Sequence, residues 1–243
     1  MKTILALGLL VLLGACAEVP TDPDAKAEFE QTNDPLEPMN RKVFAFNNQL
    51  DHYVMEPVAR GYRDTVPDPA QQGVHNVLVN LHAPYVAGND LLQGDPAQAA
   101  DMLGRFLINS TFGLLGLRDV VASSGGAKAH DNDLGLTMGH WGVGEGPFLM
   151  LPFFGPSNPR DTTGLVANFW ADPADAVLGN YGTWPVALRF GVNAVDTRVE
   201  LLDPLDEIKR SSLDLYATLR SLYRQQRRSA LEKDSPQTSQ MPP

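Results

Sequence analysis

Residues 33–51 read NDPLEPMNRKVFAFNNQLD, and the order of apolar residues in this stretch decides the type of fold. Asp34-Pro35 can cap and start a turn, after which apolar side chains recur at spacings of three or four residues, as on one face of a helix. The recurring residues are Met39, Val43, Phe46, Leu50 and Val54. The stretch therefore predicts an amphipathic helix that ends at Pro57, because proline disfavours continuation of a helix.

The rest of the chain repeats this pattern. A second helix is predicted up to Pro84, and Asp95-Pro96 provides a cap and a first-turn proline for a third helix that reaches about Ser110. Apolar stripes at helical spacing mark the second helix and two later ones: Val74, Val77, Leu78 and Leu81; Trp184, Leu188, Val192, Val195, Val199 and Leu202; Leu215, Leu219, Leu222 and Tyr223. No comparable alternation of period two occurs, so the fold is predicted to be mainly α.

Residues 1–15 have the pattern of a bacterial export signal, with one lysine, an apolar run and then small residues. Ten apolar residues span only about 15 Å as a helix, half the thickness of a hydrocarbon core, so they do not predict a permanent membrane span. Cys16, the only cysteine, follows Leu13-Gly14-Ala15. This arrangement predicts cleavage before Cys16 and its acylation, and several acyl chains give a stable anchor. Ala17, rather than aspartate, favours sorting to the outer membrane.

Composition divides the remaining chain into three parts. Residues 16–33 are acidic and contain proline, which predicts a lipidated flexible tether, and residues 229–243 are rich in Ser, Gln and Pro, which predicts a disordered tail. Residues 34–228 are predicted to form one helical domain. The chain has 19 Lys+Arg against 29 Asp+Glu and a net charge of −10, which disfavours nucleic acid as a partner.

Two apolar stretches, residues 106–117 and 148–154, are unusual for a water-soluble bundle. Taken singly, each is better interpreted as part of a globular core. Taken together with a lipid anchor and frequent Pro and Gly breaks, they also fit short helices that lie in the plane of a lipid leaflet.

A long series of ordered motifs resembles the MlaA (VacJ) family of outer-membrane lipoproteins, over about residues 33–204. The motifs comprise the signature loop and first helix (Asn33, Asp34, Pro35, Leu36, Glu37, Asn40, Arg41 and Phe46), Leu91-Leu92-Gln93-Gly94, Arg105-Phe106, Asn109-Ser110-Thr111, Thr137-Met138-Gly139, Trp141-Gly142-Val143-Gly144, Leu151-Pro152, Gly155-Pro156-Ser157 and Arg160-Asp161. Val77-Leu78, Leu134 and Leu136 depart from the family pattern.

The resemblance implies a ring-like single domain of short amphipathic helices lying in the membrane plane, with a central channel, associated with trimeric porins. Such a protein takes misplaced phospholipid from the outer leaflet of the outer membrane and passes it to a periplasmic MlaC-like carrier, with no cofactor or metal. A polar channel is physically reasonable because moving a charged head group through hydrocarbon costs several kcal/mol or more. The channel candidates are Arg105, Asn109, Ser110, Thr111, Trp141, Gly142 and Gly144.

Two features admit more than one interpretation. The glycine-dense segment, residues 135–155, lacks the order of a phosphate-binding loop, so it favours positive φ angles and close packing, with Trp141 at an interface. Arg105 stands alone in an apolar helix. Either it forms a buried ion pair with an acid such as Asp161, which we favour, or it meets head-group phosphate in the channel.

A phospholipase is the natural alternative, but the expected motifs are missing. The nearest approach to G-x-S-x-G is Gly155-Pro156-Ser157-Asn158-Pro159, in which the second glycine is absent. No H-E-x-x-H pair occurs, and residues 130–133 lack the other ligands of a calcium loop, so they are interpreted as a solvated loop. The sequence favours a protein that is not an enzyme. A structural lipoprotein that stabilises porins without moving lipid remains the other alternative.

The last helix carries the one concentrated group of cations. Arg220, Arg224 and Arg227 share a face roughly opposite the apolar one. Such a face is ordinarily solvated, with cations well placed near a helix C-terminus. The resemblance favours these three arginines as contacts for the periplasmic carrier.

Overall fold

Helices make up most of the chain in the computed structural model, which describes residues 32–233. The elements are α1 (Glu37–Leu50), a π-helical turn (Asp51–Met55), α2 (Glu56–Thr65), α3 (Asp68–Gln93), α4 (Pro96–Thr111), α5 (Val120–Ser123), α6 (Leu134–His140), β1 (Leu149–Leu151), β2 (Gly155–Ser157), α7 (Pro159–Ala171), α8 (Pro173–Gly179), α9 (Thr183–Glu200), α10 (Leu202–Ser211) and α11 (Leu215–Lys233). The mainly α prediction is confirmed. The predicted signal peptide, Cys16 and most of the tether and tail lie outside the described residues.

Two prolines do not end helices as predicted. Pro57 lies in the first turn of α2, where its missing N–H needs no partner, and the π-helical turn joins α1 to α2 directly. Pro84 lies inside α3. The hydrogen bond lost there is offset by packing, because Ala83, Val86 and Ala87 are fully buried on either side of it.

α3 and α4 form an antiparallel pair that contains a buried apolar cluster. The turn between them follows the predicted chemistry: Gly94 has a φ of +84°, and the Asp95 carboxylate accepts hydrogen bonds from the N–H groups of Ala97 (3.1 Å) and Gln98 (2.9 Å). Ala83, Val86 and Ala87 of α3 pack against Ala99 and Met102 of α4. This pair is the frame of the site described below.

A short hairpin interrupts the helices. β1 pairs with β2 in antiparallel register, with Met150 opposite Pro156. The strands have three residues each, too few to show alternation in the sequence. Phe148 and Met150 are buried with Tyr216 of α11, and Val43, Phe44 and Tyr223 pack around them. The hairpin thus joins the first helix to the last.

Glycines bring α6 and α7 into backbone contact, as the packing interpretation predicted. A Cβ on Gly164 would lie 2.5 Å from the Gly135 nitrogen, closer than any side chain allows. Gly142, Gly146 and Gly155 adopt positive φ angles of 87°, 71° and 81°. Close packing and left-handed backbone therefore account for these glycines.

Large apolar side chains are widely exposed. In the two apolar stretches they are Leu107, Ile108, Phe112, Leu114, Leu115, Leu117, Phe153 and Phe154, and α7 to α9 add Val166, Phe169, Trp170, Val177, Tyr181, Trp184, Leu188 and Phe190. The stretch 106–117 is largely exposed, so the globular-core interpretation is wrong for most of its residues. The stretch 148–154 is divided, because Phe148 and Met150 lie in a core cluster whereas Phe153 and Phe154 are exposed. Among residues 32–233, no helix combines the length and apolar character needed to cross a membrane.

Candidate functional site

A polar cavity of about 190 Å³ opens between α3 and α4. Its lining comes from α3, α4 and the segment after α4: Gln72, His75, Asn76, Val79, Asn80, Ala83, Met102, Arg105, Asn109, Asp119 and Ala129. Two of the predicted channel residues, Arg105 and Asn109, are in this lining. A cavity with this many polar groups can hold water or a polar ligand.

Arg105 is buried and paired, but not with the predicted acid. Its guanidinium donates to Asp119 Oδ2 and to the Ala127 carbonyl, both at 2.5 Å. Burial raises the pKa of Asp119, yet hydrogen bonds from the Ala122 N–H and from Arg105 outweigh burial and hold that pKa below its usual range. Asp119 caps α5 after the turn that follows α4, and this turn brings it back to Arg105, whereas Asp161 lies on α7 in another cluster.

The other polar residues of α4 follow from the same arrangement. Asn109 donates to Asp119 Oδ1 at 3.0 Å and accepts from the N–H of Val120 at 2.9 Å, so it holds the turn into α5. Ser110 accepts from Asn80 Nδ2 at 2.9 Å. Thr111 does not face the cavity, because it is exposed and its hydroxyl donates to the Leu107 carbonyl of its own helix.

Asn80 is a cavity residue that the sequence analysis missed. It is buried, and its Oδ1 has no hydrogen-bond partner within the described residues. Gly116 packs so closely that an added Cβ would lie 2.8 Å from the Asn80 Cβ. No local pattern reveals Asn80, since it is one polar residue on an otherwise mixed helix face.

The remaining channel candidates lie elsewhere. Trp141 is exposed and its indole Nε1 donates to the Leu92 carbonyl at 3.0 Å. Leu92 lines a second, apolar cavity of about 200 Å³ with Pro84, Tyr85, Gly88, Asn89, Leu134, Ala167, Ala171 and Pro173. Gly142 and Gly144 have open space where a Cβ would be. The structure thus separates the candidates into two groups, on different faces of α3.

The signature loop has a different role from the predicted cap. The buried Asp34 carboxylate accepts from Asn40 Nδ2 (2.8 Å), from Arg220 (2.7 Å) and from the Tyr216 hydroxyl. Asn40 also donates to the Phe148 carbonyl at 3.0 Å and accepts from the Met150 N–H at 2.9 Å. These bonds attach α1 to the hairpin and to α11.

The other signature residues extend these attachments. The Asn33 side chain donates to the Gly146 carbonyl at 2.6 Å, and Leu36 is the N-cap residue that precedes α1. Arg41 bridges Glu37 (2.7 Å) and Asp214 (2.6 Å). Phe46, which lies on the predicted apolar face of the first helix, is half-exposed, with its ring 5.4 Å from that of Phe153. Asn40 lies on the buried face of α1, where its side-chain amide forms hydrogen bonds with the backbone at the hairpin.

The arginine face of α11 points inward, so the expectation that it is exposed is wrong. Arg220 pairs with Asp34 and Glu37, Arg224 with Glu145, and Arg227 with Asp133 and Asp161, all at 2.7 to 3.2 Å. These acids are 66 to 186 residues away in sequence. Because no local spacing reveals them, the face looked solvated. The carrier-contact interpretation loses the surface on which it depended.

The interpretation of residues 130–133 as a solvated loop holds only for Asp131, which is exposed, whereas the other three residues are buried or half-buried. His130 Nε2 lies 3.1 Å from the carboxylate of the buried Asp90, and Asn132 donates to the same carboxylate at 2.7 Å. Asp133 caps α6 by accepting from the Leu136 N–H at 2.8 Å. The side chains of His130, Asn132 and Asp133 therefore hold this segment against α3 and α6.

Comparison with known proteins gives consistent matches. A family model described as MlaA lipoprotein matches residues 32–230. The intermembrane phospholipid transport system lipoprotein MlaA of Escherichia coli (strain K12) is 39% identical over 223 residues, 90% of this chain and 84% of that protein. Its Haemophilus influenzae counterpart is 36% identical over 229 residues, 92% of this chain and 88% of that protein.

A solved structure agrees with these sequence matches. It comes from work on the structural basis for maintenance of bacterial outer membrane lipid asymmetry, and it matches with a TM-score of 0.70 at 38% identity. The match covers 80% of this chain and 96% of the solved chain.

Proposed function

The chain belongs to the MlaA lipoprotein family, and from this premise we propose that it removes misplaced phospholipid from the outer leaflet of the outer membrane and passes it to a periplasmic lipid carrier. The relatives are named for intermembrane phospholipid transport, and the similar solved structure comes from work on lipid asymmetry. The proposed anchor is the acylated Cys16, on the periplasmic side of the membrane.

The observation that carries the proposal is the orientation of α4. Its polar residues Arg105 and Asn109 are each 4% exposed and line the cavity, whereas Leu103 and Leu107, on the opposite face, are 41% and 61% exposed. A helix of a water-soluble protein has the reverse arrangement. This orientation suits a helix with hydrocarbon outside and a polar passage inside.

The proposal includes a ring of in-plane helices around a central channel, with a trimeric porin beside it. The exposed aromatic residues of α7 to α9 offer an apolar belt for lipid or porin contact. The polar cavity would receive the head group, which removes most of the cost of moving a charged phosphate through hydrocarbon. Acyl chains would remain in apolar surroundings.

We further propose that no bond chemistry is involved. Ser157, the residue nearest to a hydrolase signature, is buried, and its hydroxyl lies 2.9 Å from that of Thr162. It thus serves the start of α7. A structural lipoprotein that stabilises porins would share the apolar belt but would not need a polar cavity.

Lipid transfer from vesicles tests the proposal. Vesicles carrying the full chain and a fluorescent phospholipid are mixed with the soluble carrier, and label on the carrier is measured. Val79→Phe places a ring in the cavity, whereas Leu107→Phe, the matched control, changes only the outer face of α4. We expect transfer to fall several-fold in the first variant and to persist in the second.

Each contrary result has a distinct meaning. Transfer at the wild-type rate by folded Val79→Phe would exclude this cavity as the path. No transfer by the wild type, with porin binding intact, would favour the structural alternative. Release of fatty acid from the vesicles would favour a phospholipase.

A further inference from the structure

Three potential metal ligands meet between α3 and α9, at the edge of the polar cavity. His75 Nδ1 lies 2.9 Å from Asp196 Oδ2 and 3.1 Å from Glu200 Oε1. The three ligand atoms all lie within 4.8 Å of one another. Asp196 and Glu200 are four residues apart on α9, so their side chains share one face of the helix. His75 lines the cavity.

These separations approach those of a metal site. Zinc binds nitrogen and carboxylate oxygen at roughly 2.0–2.2 Å, which places neighbouring ligands of a tetrahedron about 3.3–3.6 Å apart. To admit an ion, the imidazole would move a few tenths of an ångström away from each carboxylate, and the two carboxylate oxygens, which lie within 4.8 Å of each other, would adjust to the same spacing. Both helices are long and packed against each other, so the ligands rest on a firm frame.

The charges also favour a cation. Among the ion pairs of residues 32–233, Asp196 and Glu200 each pair with His75 and with no arginine or lysine. Asp196 is also buried. Two carboxylates thus share one imidazole, whose charge is at most +1, and a divalent ion would balance them.

A second, independent group lies near the cluster. The Tyr62 hydroxyl is buried and has no hydrogen-bond partner within the described residues. The negative charge of Asp196 acts on this hydroxyl, which places it beside the cluster. Such a hydroxyl is a suitable neighbour for water bound to an ion, because buried polar groups normally have a partner.

We propose that His75, Asp196 and Glu200 bind one divalent transition-metal ion, with Zn²⁺ the best match, and that water completes the coordination at the cavity edge. One imidazole and two carboxylates suit zinc better than calcium, which prefers six to eight oxygens. The ion fastens α3 to α9. The site depends on no assumption about lipid transport.

Equilibrium dialysis of the full chain in detergent against Zn²⁺, after treatment with chelator, tests the site. We expect one equivalent of zinc bound by the wild type and an affinity at least roughly tenfold weaker in His75→Gln and in Glu200→Gln, since a direct ligand matters no less than an outer-shell group. His52→Gln is the matched control, because His52 is exposed and pairs weakly with Glu56. Its affinity should equal that of the wild type.

Two further measurements separate the site from a simple ion pair. Zinc should raise the melting temperature of the wild type and of His52→Gln but not of His75→Gln. Co²⁺ should give the visible absorption of a tetrahedral ion in the wild type and not in Glu200→Gln. Zinc affinity unchanged in folded His75→Gln, or no zinc bound by the wild type, would show that the cluster is only an imidazole shared by two carboxylates.

Discussion

Buried arginines occur both in α4 and in α11, but their surroundings differ. Arg105 of α4 pairs with the carboxylate of Asp119 and lines the polar cavity, whereas Arg227 of α11 is held between Asp133 and Asp161 and is not among the lining residues of that cavity. In the first arrangement, polar groups remain open to the cavity. In the second, the guanidinium is paired with two carboxylates and holds the last helix to the body. A buried arginine can therefore either line a polar cavity or hold two parts of the fold together, and its carboxylate partners distinguish these two roles.

The largest loss of stability is expected at the cluster of Arg227, Asp133 and Asp161, which holds α11 to the body. Arg227→Ala leaves Asp133 without its arginine and Asp161 with Arg160 alone, and because Asp133 keeps contact with solvent we expect a cost of about 3 kcal/mol, the low end of the range for breaking a buried pair. Arg228→Ala, at a position whose side chain is 58% exposed, should cost less than about 0.5 kcal/mol. Urea unfolding of the two variants measures the difference. Equal stabilities would show that α11 is not held by this cluster.

A smaller loss of stability is expected in α4. Arg105→Met leaves Asp119 unpaired, which costs roughly 1–3 kcal/mol, because Asp119 keeps some contact with solvent. The double variant Arg105→Met/Asp119→Leu removes the orphaned charge and should recover much of that stability. Phospholipid transfer should remain low in both variants. Recovery of transfer together with stability would mean that Arg105 serves only the fold.

Low pH should also weaken the cluster of Arg227, Asp133 and Asp161. Burial raises the pKa of Asp161, but Arg227, Tyr223 and Arg160 together lower it by more, so the pKa lies below its ordinary value. Such a carboxyl stabilises the fold above its unfolded pKa of about 3.9, and the contribution is lost as pH falls through the folded value. We expect the unfolding free energy of the wild type to fall below about pH 4 more steeply than that of Asp161→Asn. Parallel pH profiles would contradict this assignment.

The smallest effect on stability is expected on the outer face of α4. Leu107 is exposed, so Leu107→Gln should change the unfolding free energy by less than about 0.5 kcal/mol. Vesicle association of the non-acylated protein should weaken, because the substitution removes apolar surface that we propose contacts lipid. A large loss of stability with unchanged association would place Leu107 in the core instead.

The sequence predicted local features well. The cap at Asp95 and the mainly α content follow from spacings within a few residues. Which face of a helix is exposed could not be predicted in the same way, because Leu107 and Phe46 would be buried in a water-soluble protein. Helix ends at proline also failed, at Pro57 and Pro84, because packing across neighbouring helices offset the local cost.

The partners of charged residues were the hardest to predict. Arg227 meets Asp133 and Asp161 across 94 and 66 residues, and His75 meets Asp196 across 121. No spacing rule reaches so far. Of the channel candidates, Arg105 and Asn109 share a helix face that lines the polar cavity, while Trp141 belongs to another part of the fold, and their role in a channel stays a prediction.

Gly135 has a further consequence for how this family can change in evolution. A methyl group there would lie 2.6 Å from Asp161 Oδ1 and 2.9 Å from both Arg227 Nη2 and Asp133 Oδ1. The missing side chain is thus the space in which the guanidinium and its two acids meet. Among natural members of the family, substitutions at position 135 should therefore occur together with substitutions at positions 133, 161 and 227, although Gly135 itself has no side chain that could contact those residues.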